Sequence, residues 1–293
     1  MSDLIQGAGS VFVERLRLAY RIALDAFYSF IADDGWAIAS HIALSCLMAL
    51  FPFLLVVTAL AGFFGSRNLG QEAARLLLET WPTEVAGPIA LEITGVLSSA
   101  RGDVLTLSLV LSIYFASSGV ESLRIGLNRS YNMVEVRAWW LLRLESIGYV
   151  MGGALVLLVF SLLVVLAPLI WAGLLKYLPG LQQFGALITF ARFAVAGLVL
   201  VIALLIVHLW LPTGRRRIWE VAPGIAATLV LWLLAGAIFG RYLAEFAFTY
   251  AIYYAGLASA MITLVFLYLC SSIFLYGGEL NAAIDRARRK KIR

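Results

Sequence analysis

Charge, histidine and cysteine are all scarce in this sequence. Only 13% of its 293 residues are Asp, Glu, Lys or Arg, about half of the roughly 25% that a soluble domain uses to face water. Together with 62% hydrophobic residues and a mean hydropathy of +0.95, that shortage excludes an ordinary soluble fold, a disordered chain and a basic soluble nucleic-acid binder. The surface must face lipid instead. The two cysteines, Cys46 and Cys270, each lie inside a long apolar run, which supports neither a disulfide framework nor a zinc site. The two histidines, His41 and His208, also lie in apolar runs, which leaves a metal-dependent nuclease without ligands on a water-exposed surface. No HExxH, GxSxG, Walker loop, GxGxxG or close carboxylate cluster occurs. No catalytic residue, metal or cofactor is therefore expected, and the chain reads as a non-enzyme.

What is present is a set of long uncharged stretches. Six are bounded by charged residues: Asp34 to Arg67, Asp103 to Glu121, Glu145 to Lys176, Arg192 to Arg215, Glu220 to Arg241 and Glu245 to Glu279. A helix needs about 20 apolar residues to cross the hydrocarbon core. The second stretch encloses only 17 and spans comfortably only if it continues past Glu121 and Arg124 toward Asn128. The period-two alternation of a barrel strand is absent, so the expectation is an all-α polytopic membrane protein with six transmembrane helices plus amphipathic interfacial helices.

Basic residues set the expected orientation. Of the 22 Lys and Arg, those before the first span, between spans two and three, between four and five, and after six outnumber the others 16 to 6. By the positive-inside rule, both termini are expected in the cytoplasm of a multi-pass protein of the bacterial inner membrane. The sequence then divides into an N-terminal cytoplasmic helix (1–35), a six-helix transmembrane domain (36–283) and a basic tail (284–293) that anchors near anionic lipid. The first 35 residues lack the apolar core of a cleavable signal, so the first span is expected to target the chain. Phe12, Leu16, Ala19, Ala23, Phe27 and Phe30 recur at helical spacing there, opposite Glu14, Arg17, Arg21 and Asp25. This pattern suits a helix on the membrane surface or one packed on the end of the bundle. The outer connection 66–101 shows two further amphipathic patterns separated by Pro82 and Pro88, with Trp81 at the interface.

One polar stripe stands out. Ser117, Glu121, Arg124 and Asn128 follow at steps of four, three and four, which sets them on one helical face. A charge at the bilayer centre costs about 2.5–3.5 kcal/mol on insertion scales. Glu121 and Arg124 are therefore expected to pair with each other or to line a polar cavity, unless both sit at headgroup level and reach water. His41 and His208 fall at the same ends of their helices and could meet, with a helix-packing hydrogen bond the favoured role for each. Glu279 and Asn281 follow Gly277 and Gly278 at the end of the last span and complete the candidate cavity residues. Pro52 should kink the first span, and Gly236 with Gly240 forms a small-xxx-small pair that permits close helix approach.

Several segments carry a resemblance in order along the chain. Asp33 to Gly65, with the step Leu50, Phe51, Pro52, resembles the first span of the YihY/BrkB membrane family. Phe115 to Asn132, the turn from Leu211 and Pro212 through Trp219 to Pro223 and Gly224, Tyr253 to Ser259, and Gly277 to Ala283 resemble its later landmarks. The chain departs from that family where His41, Ile42 and Ala43 replace the commoner aromatic residues. The resemblance implies a six-helix inner-membrane protein, some of whose relatives carry ribonuclease BN labels and others virulence labels. The residues favour a transporter or lipid-handling protein with a polar intramembrane cavity. A non-catalytic scaffold or virulence-associated factor is the alternative, and a ribonuclease ranks third. Membrane lipids are the expected partners and a lipid or small molecule the expected substrate. Nucleic acid is not expected, and a homo-oligomer stays open.

Overall fold

The computed structural model describes residues 2–63, 102–161, 179–254 and 257–292, together with 163, 170, 171, 174, 175 and 177. Among them every regular element is helical. In chain order these are α1 (Ser2–Ala32), α2 (Gly35–Phe63), α3 (Gly102–Ser130), α4 (Trp139–Ser161), a 3-10 turn (Pro179–Phe184), α5 (Gly185–Trp210), α6 (Ile218–Tyr254) and α7 (Ala258–Ile292). Six of these helices, α2 to α7, are long and apolar enough to cross a membrane. The second span does continue through Glu121 and Arg124, to Ser130. The third begins at Trp139, ahead of Arg143 and Glu145, because two charges in the first turns of a helix can reach a headgroup layer. The two helices expected within 66–101 lie outside the described residues.

The outer faces are apolar: Leu155, Leu157, Leu158, Phe190, Phe193, Leu233 and Ile238 are all exposed. That is the surface of a protein solvated by hydrocarbon rather than water. Packing is concentrated at the centre, where α2 lies along α3, and α7 lies against α6, α2 and α1. The core joins Phe30, Ala39, Ile42, Leu127, Leu204, Leu211, Val221, Ile225, Phe274 and Leu275. The starts of α2, α4 and α6 and the ends of α3, α5 and α7 converge on one end of the bundle, called here the basic end. Trp36, Trp139, Trp140, Trp210 and Trp219 are exposed there, as an aromatic belt at a membrane interface requires.

α1 packs on the end of the bundle and leaves an apolar face exposed. Ala26 and Phe30 are buried, Tyr276 donates to the Ala23 carbonyl at 3.2 Å, and Arg286 of α7 holds Asp25 at 3.0 Å and Ser29 at 2.8 Å. Leu16, Tyr20, Phe27 and Ile31 remain exposed on the same helix, as a face lying in an interface would be. α2 runs without a break through Pro52.

The close helix crossing falls elsewhere than expected. A Cβ on Gly236 or Gly240 would meet nothing within 4 Å, so among the described residues that pair faces open space on α6. The tight contact is Gly224 of α6 against Gly277 of α7. A Cβ on Gly224 would collide with the Gly277 carbonyl and the Asn281 side chain, and one on Gly277 with the Thr228 hydroxyl. Asn281 Oδ1 accepts the Gly224 N–H at 2.6 Å. Small residues let backbones approach, and a side-chain amide satisfies a backbone donor near the helix start.

Candidate functional site

α3 presents two polar faces at the basic end, with different neighbours. The first is the stripe read from the sequence. Ser117 is fully buried and donates to the Tyr114 carbonyl at 2.9 Å. Arg124 and Asn128 are buried as well, at 4% and 6% exposure. The expected pairing of Glu121 with Arg124 does not form. Glu121 instead takes Arg143 of α4 at 3.0 Å, and Arg143 also stacks over the Tyr114 ring. Arg124 donates to the Leu142 carbonyl and to Ser146 Oγ, both at 3.2 Å, and its Nε lies 3.9 Å from Glu135. Glu121 and Arg124 lie about one turn apart on the same helix, yet α4 offers each a better-placed partner.

Glu135, in the connection between α3 and α4, is the hub of this face. Arg137 grips it through two parallel bonds of 2.8 Å, the bidentate geometry that makes guanidinium–carboxylate pairs strong. Asn128 Nδ2 donates to it at 3.2 Å and Thr213 Oγ1 at 3.0 Å. The Arg137 fork, with the Thr213 hydroxyl in support, holds the Glu135 carboxyl well below the usual range, at about 2. Glu135 in turn pushes Arg137 up. Arg137 also reaches Glu145 at 2.7 Å and the Leu211 carbonyl at 3.2 Å, while Asn128 Oδ1 accepts the Thr213 N–H at 2.7 Å. One network therefore ties the ends of α3, α4 and α5 together, with its donors and acceptors satisfied by protein. Sequence reading missed Glu135, Arg137 and Thr213, whose only signal was an alternating Glu-x-Arg in a short connection.

The second polar face of α3 looks at α2. Ser122, Ile125 and Arg129 of α3, Ala37, Ile38 and His41 of α2, and Asp34 in the turn ahead of α2 line an open groove of about 520 Å³. Its rim is an ion pair, Arg129 to Asp34 at 2.9 Å, both half-exposed or more. Arg129 also donates to the Asp33 carbonyl at 3.2 Å. Deeper in the groove, Ser122 Oγ lies 2.6 Å from His41 Nδ1. Asp34 sits at φ 57°, where the chain turns from α1 into α2, a left-handed conformation that Asp and Asn tolerate.

The two histidines have separate partners. His208 is fully buried, bonds the Leu204 carbonyl at 2.9 Å and packs on the Phe274 ring, which is a core role. Asn281 belongs to the α6–α7 crossing and also reaches the Tyr131 hydroxyl at 3.4 Å. Glu279 is 2% exposed, and among the described residues its Oε2 has no hydrogen-bond partner. Among the described residues no group of three His, Cys, Asp or Glu could hold a metal ion.

Comparison with known proteins agrees with this architecture. A family model described as "Virulence factor BrkB" matches residues 26–293. The putative ribonuclease-like protein YfkH of Bacillus subtilis (strain 168) is 24% identical over 269 residues, covering 92% of this chain and 96% of that protein. A UPF0761 membrane protein of Rhodospirillum centenum is 27% identical over 301 residues, covering 99% of this chain and 63% of the relative. No solved structure matches.

Proposed function

The chain belongs to the BrkB family of membrane proteins, and from that premise we propose that it handles lipid in the bacterial inner membrane, through the groove between α2 and α3. The observation that carries this reading is the groove itself: polar residues lie along a lateral opening of about 520 Å³, on a bundle whose outer faces are otherwise apolar. Ligand sites of this size, about 300–1,000 Å³, join an apolar lining to a few convergent polar groups. The 16 to 6 split of basic residues and the tryptophan belt at the basic end support a cytoplasmic position for both termini and for the groove. In this reading the Glu135 network is the rigid base that holds α3 while lipid enters beside it.

A scaffold reading, in which the chain binds partners without moving anything, is favoured by one observation. The stripe expected to line a cavity is satisfied by protein partners and holds the helices together. The ribonuclease name of one relative is not carried to this chain. RNA cleavage would need a water-exposed metal or acid–base cluster, and the acidic residues at the basic end sit mainly in ion pairs.

Purified full-length protein reconstituted into vesicles separates these readings. A lipid-handling protein speeds the exchange of a labelled phospholipid between leaflets, whereas a scaffold leaves it at the rate of protein-free vesicles.

A further inference from the structure

The lining of the groove is ordered by depth. α2 leaves the basic end and α3 returns to it, so Asp34 and Arg129 share the rim while His41 and Ser122 lie seven residues further in. At 1.5 Å rise per residue that is about 10 Å. Ala37, Ile38 and Ile125 form the wall between. From the membrane surface inward, the groove therefore offers a cation beside an anion, then apolar wall, then a hydroxyl–imidazole pair.

The geometry points to a zwitterionic phospholipid with an ethanolamine headgroup as the occupant of this groove, its phosphate on Arg129 and its ammonium on Asp34. This inference rests on the reading of the groove as a lipid site and names the lipid. The rim carries one positive and one negative side chain, 47% and 70% exposed, so both can open to a ligand that offers the complementary pair. An anionic headgroup would meet Arg129 but be repelled by Asp34. A choline headgroup would present methyl groups, which donate no N–H, where ethanolamine donates up to three hydrogen bonds to a carboxylate. Below the rim, Ser122 Oγ lies 2.6 Å from His41 Nδ1 and gives its one hydrogen to the Ser118 carbonyl at 3.1 Å, so the imidazole Nδ1–H is assigned as the donor to Ser122. That assignment leaves Nε2 of the neutral ring as an acceptor.

The test is native mass spectrometry of the full-length protein in detergent, titrated with phosphatidylethanolamine, phosphatidylcholine and phosphatidylglycerol of matched chains. Wild type should bind the ethanolamine lipid in preference to both others. Arg129→Gln should weaken that binding about tenfold, the loss of one charge-assisted contact, and Arg129→Lys should restore part of it. Asp34→Asn keeps a residue suited to the left-handed turn and leaves Arg129 without its anion, so the preference should reverse toward phosphatidylglycerol. That reversal decides the matter even if Arg129→Gln fails to fold. Unchanged preference in Asp34→Asn overturns the assignment. Lipid exchange between leaflets is a separate readout. If exchange is absent while the charge-dependent preference holds, the lipid site stands and the handling role falls.

Discussion

Arg124 of the second span reaches Glu135 beyond the end of its own helix, Nε to Oε2 at 3.9 Å, while its expected partner Glu121, one turn away, is held by Arg143 of α4 at 3.0 Å. The stripe along α3 is thus two separate ties to α4 and its preceding connection rather than one intrahelical pair. The consequences for mutation differ at each tie.

Arg124→Ala should lower stability by about 2 kcal/mol, because a buried guanidinium loses charge-assisted bonds to Ser146 and the Leu142 carbonyl. Glu121→Ala should cost only about 0–1 kcal/mol, since the Glu121–Arg143 pair remains partly exposed. Thermal unfolding in detergent reads both. In double-mutant cycles, Glu121 should couple to Arg143 more strongly than to Arg124. The reverse order would show that the ion pairs are differently arranged in the working protein.

Glu135 makes a pH prediction. Its carboxyl is depressed from 4.5 to about 2 in the folded chain by the Arg137 fork, so the stability it contributes is fully present above its unfolded pKa and is lost as pH falls through the folded value. Wild type should therefore lose, between about pH 4.5 and 2, on the order of 2 kcal/mol that Glu135→Gln does not lose, after allowance for solvent around a partly exposed side chain. Parallel melting curves for the two proteins across that window would contradict the hub role.

The two glycine pairs should respond oppositely. Gly277→Ala forces a methyl onto the Thr228 hydroxyl, and overpacking of this kind costs about 1–3 kcal/mol or prevents assembly. Gly236→Ala and Gly240→Ala meet open space and should leave the melting temperature unchanged or slightly raised, since Ala is the better helix former. Expression level and thermal midpoint of the three variants check this.

Orientation is open to direct labelling. Single cysteines at Ser99 and at Ala287, in a background with Cys46 and Cys270 replaced, should differ in intact cells: an impermeant thiol reagent should reach Ser99 and not Ala287. Labelling at Ala287 alone would invert the topology.

The spans were legible because membrane insertion depends on local composition, and gaps between charges mark them without knowledge of the fold. α3 could be followed through Glu121 and Arg124 to its end for the same reason: the stretch was too short without them. Partner choice was not legible. Arg143, Glu135 and Thr213 lie in other segments, and helical periodicity places a side chain on a face without saying what faces it. The same limit hid the second polar face of α3, because Ser122 and Arg129 acquire meaning only opposite His41 and Asp34. Gly236 and Gly240 misled for a related reason: small-residue spacing permits a close approach, but only a neighbour such as Gly277 opposite Gly224 produces one.

The central claim is that lipid is handled at the groove between α2 and α3, and exchange of a fluorescent phosphatidylethanolamine between leaflets of vesicles containing the purified protein tests it most directly. The account predicts exchange faster than in protein-free vesicles, slowed by Arg129→Gln, and unaffected by Glu121→Ala. Exchange in protein-containing vesicles no faster than in empty ones would contradict it and leave the scaffold reading.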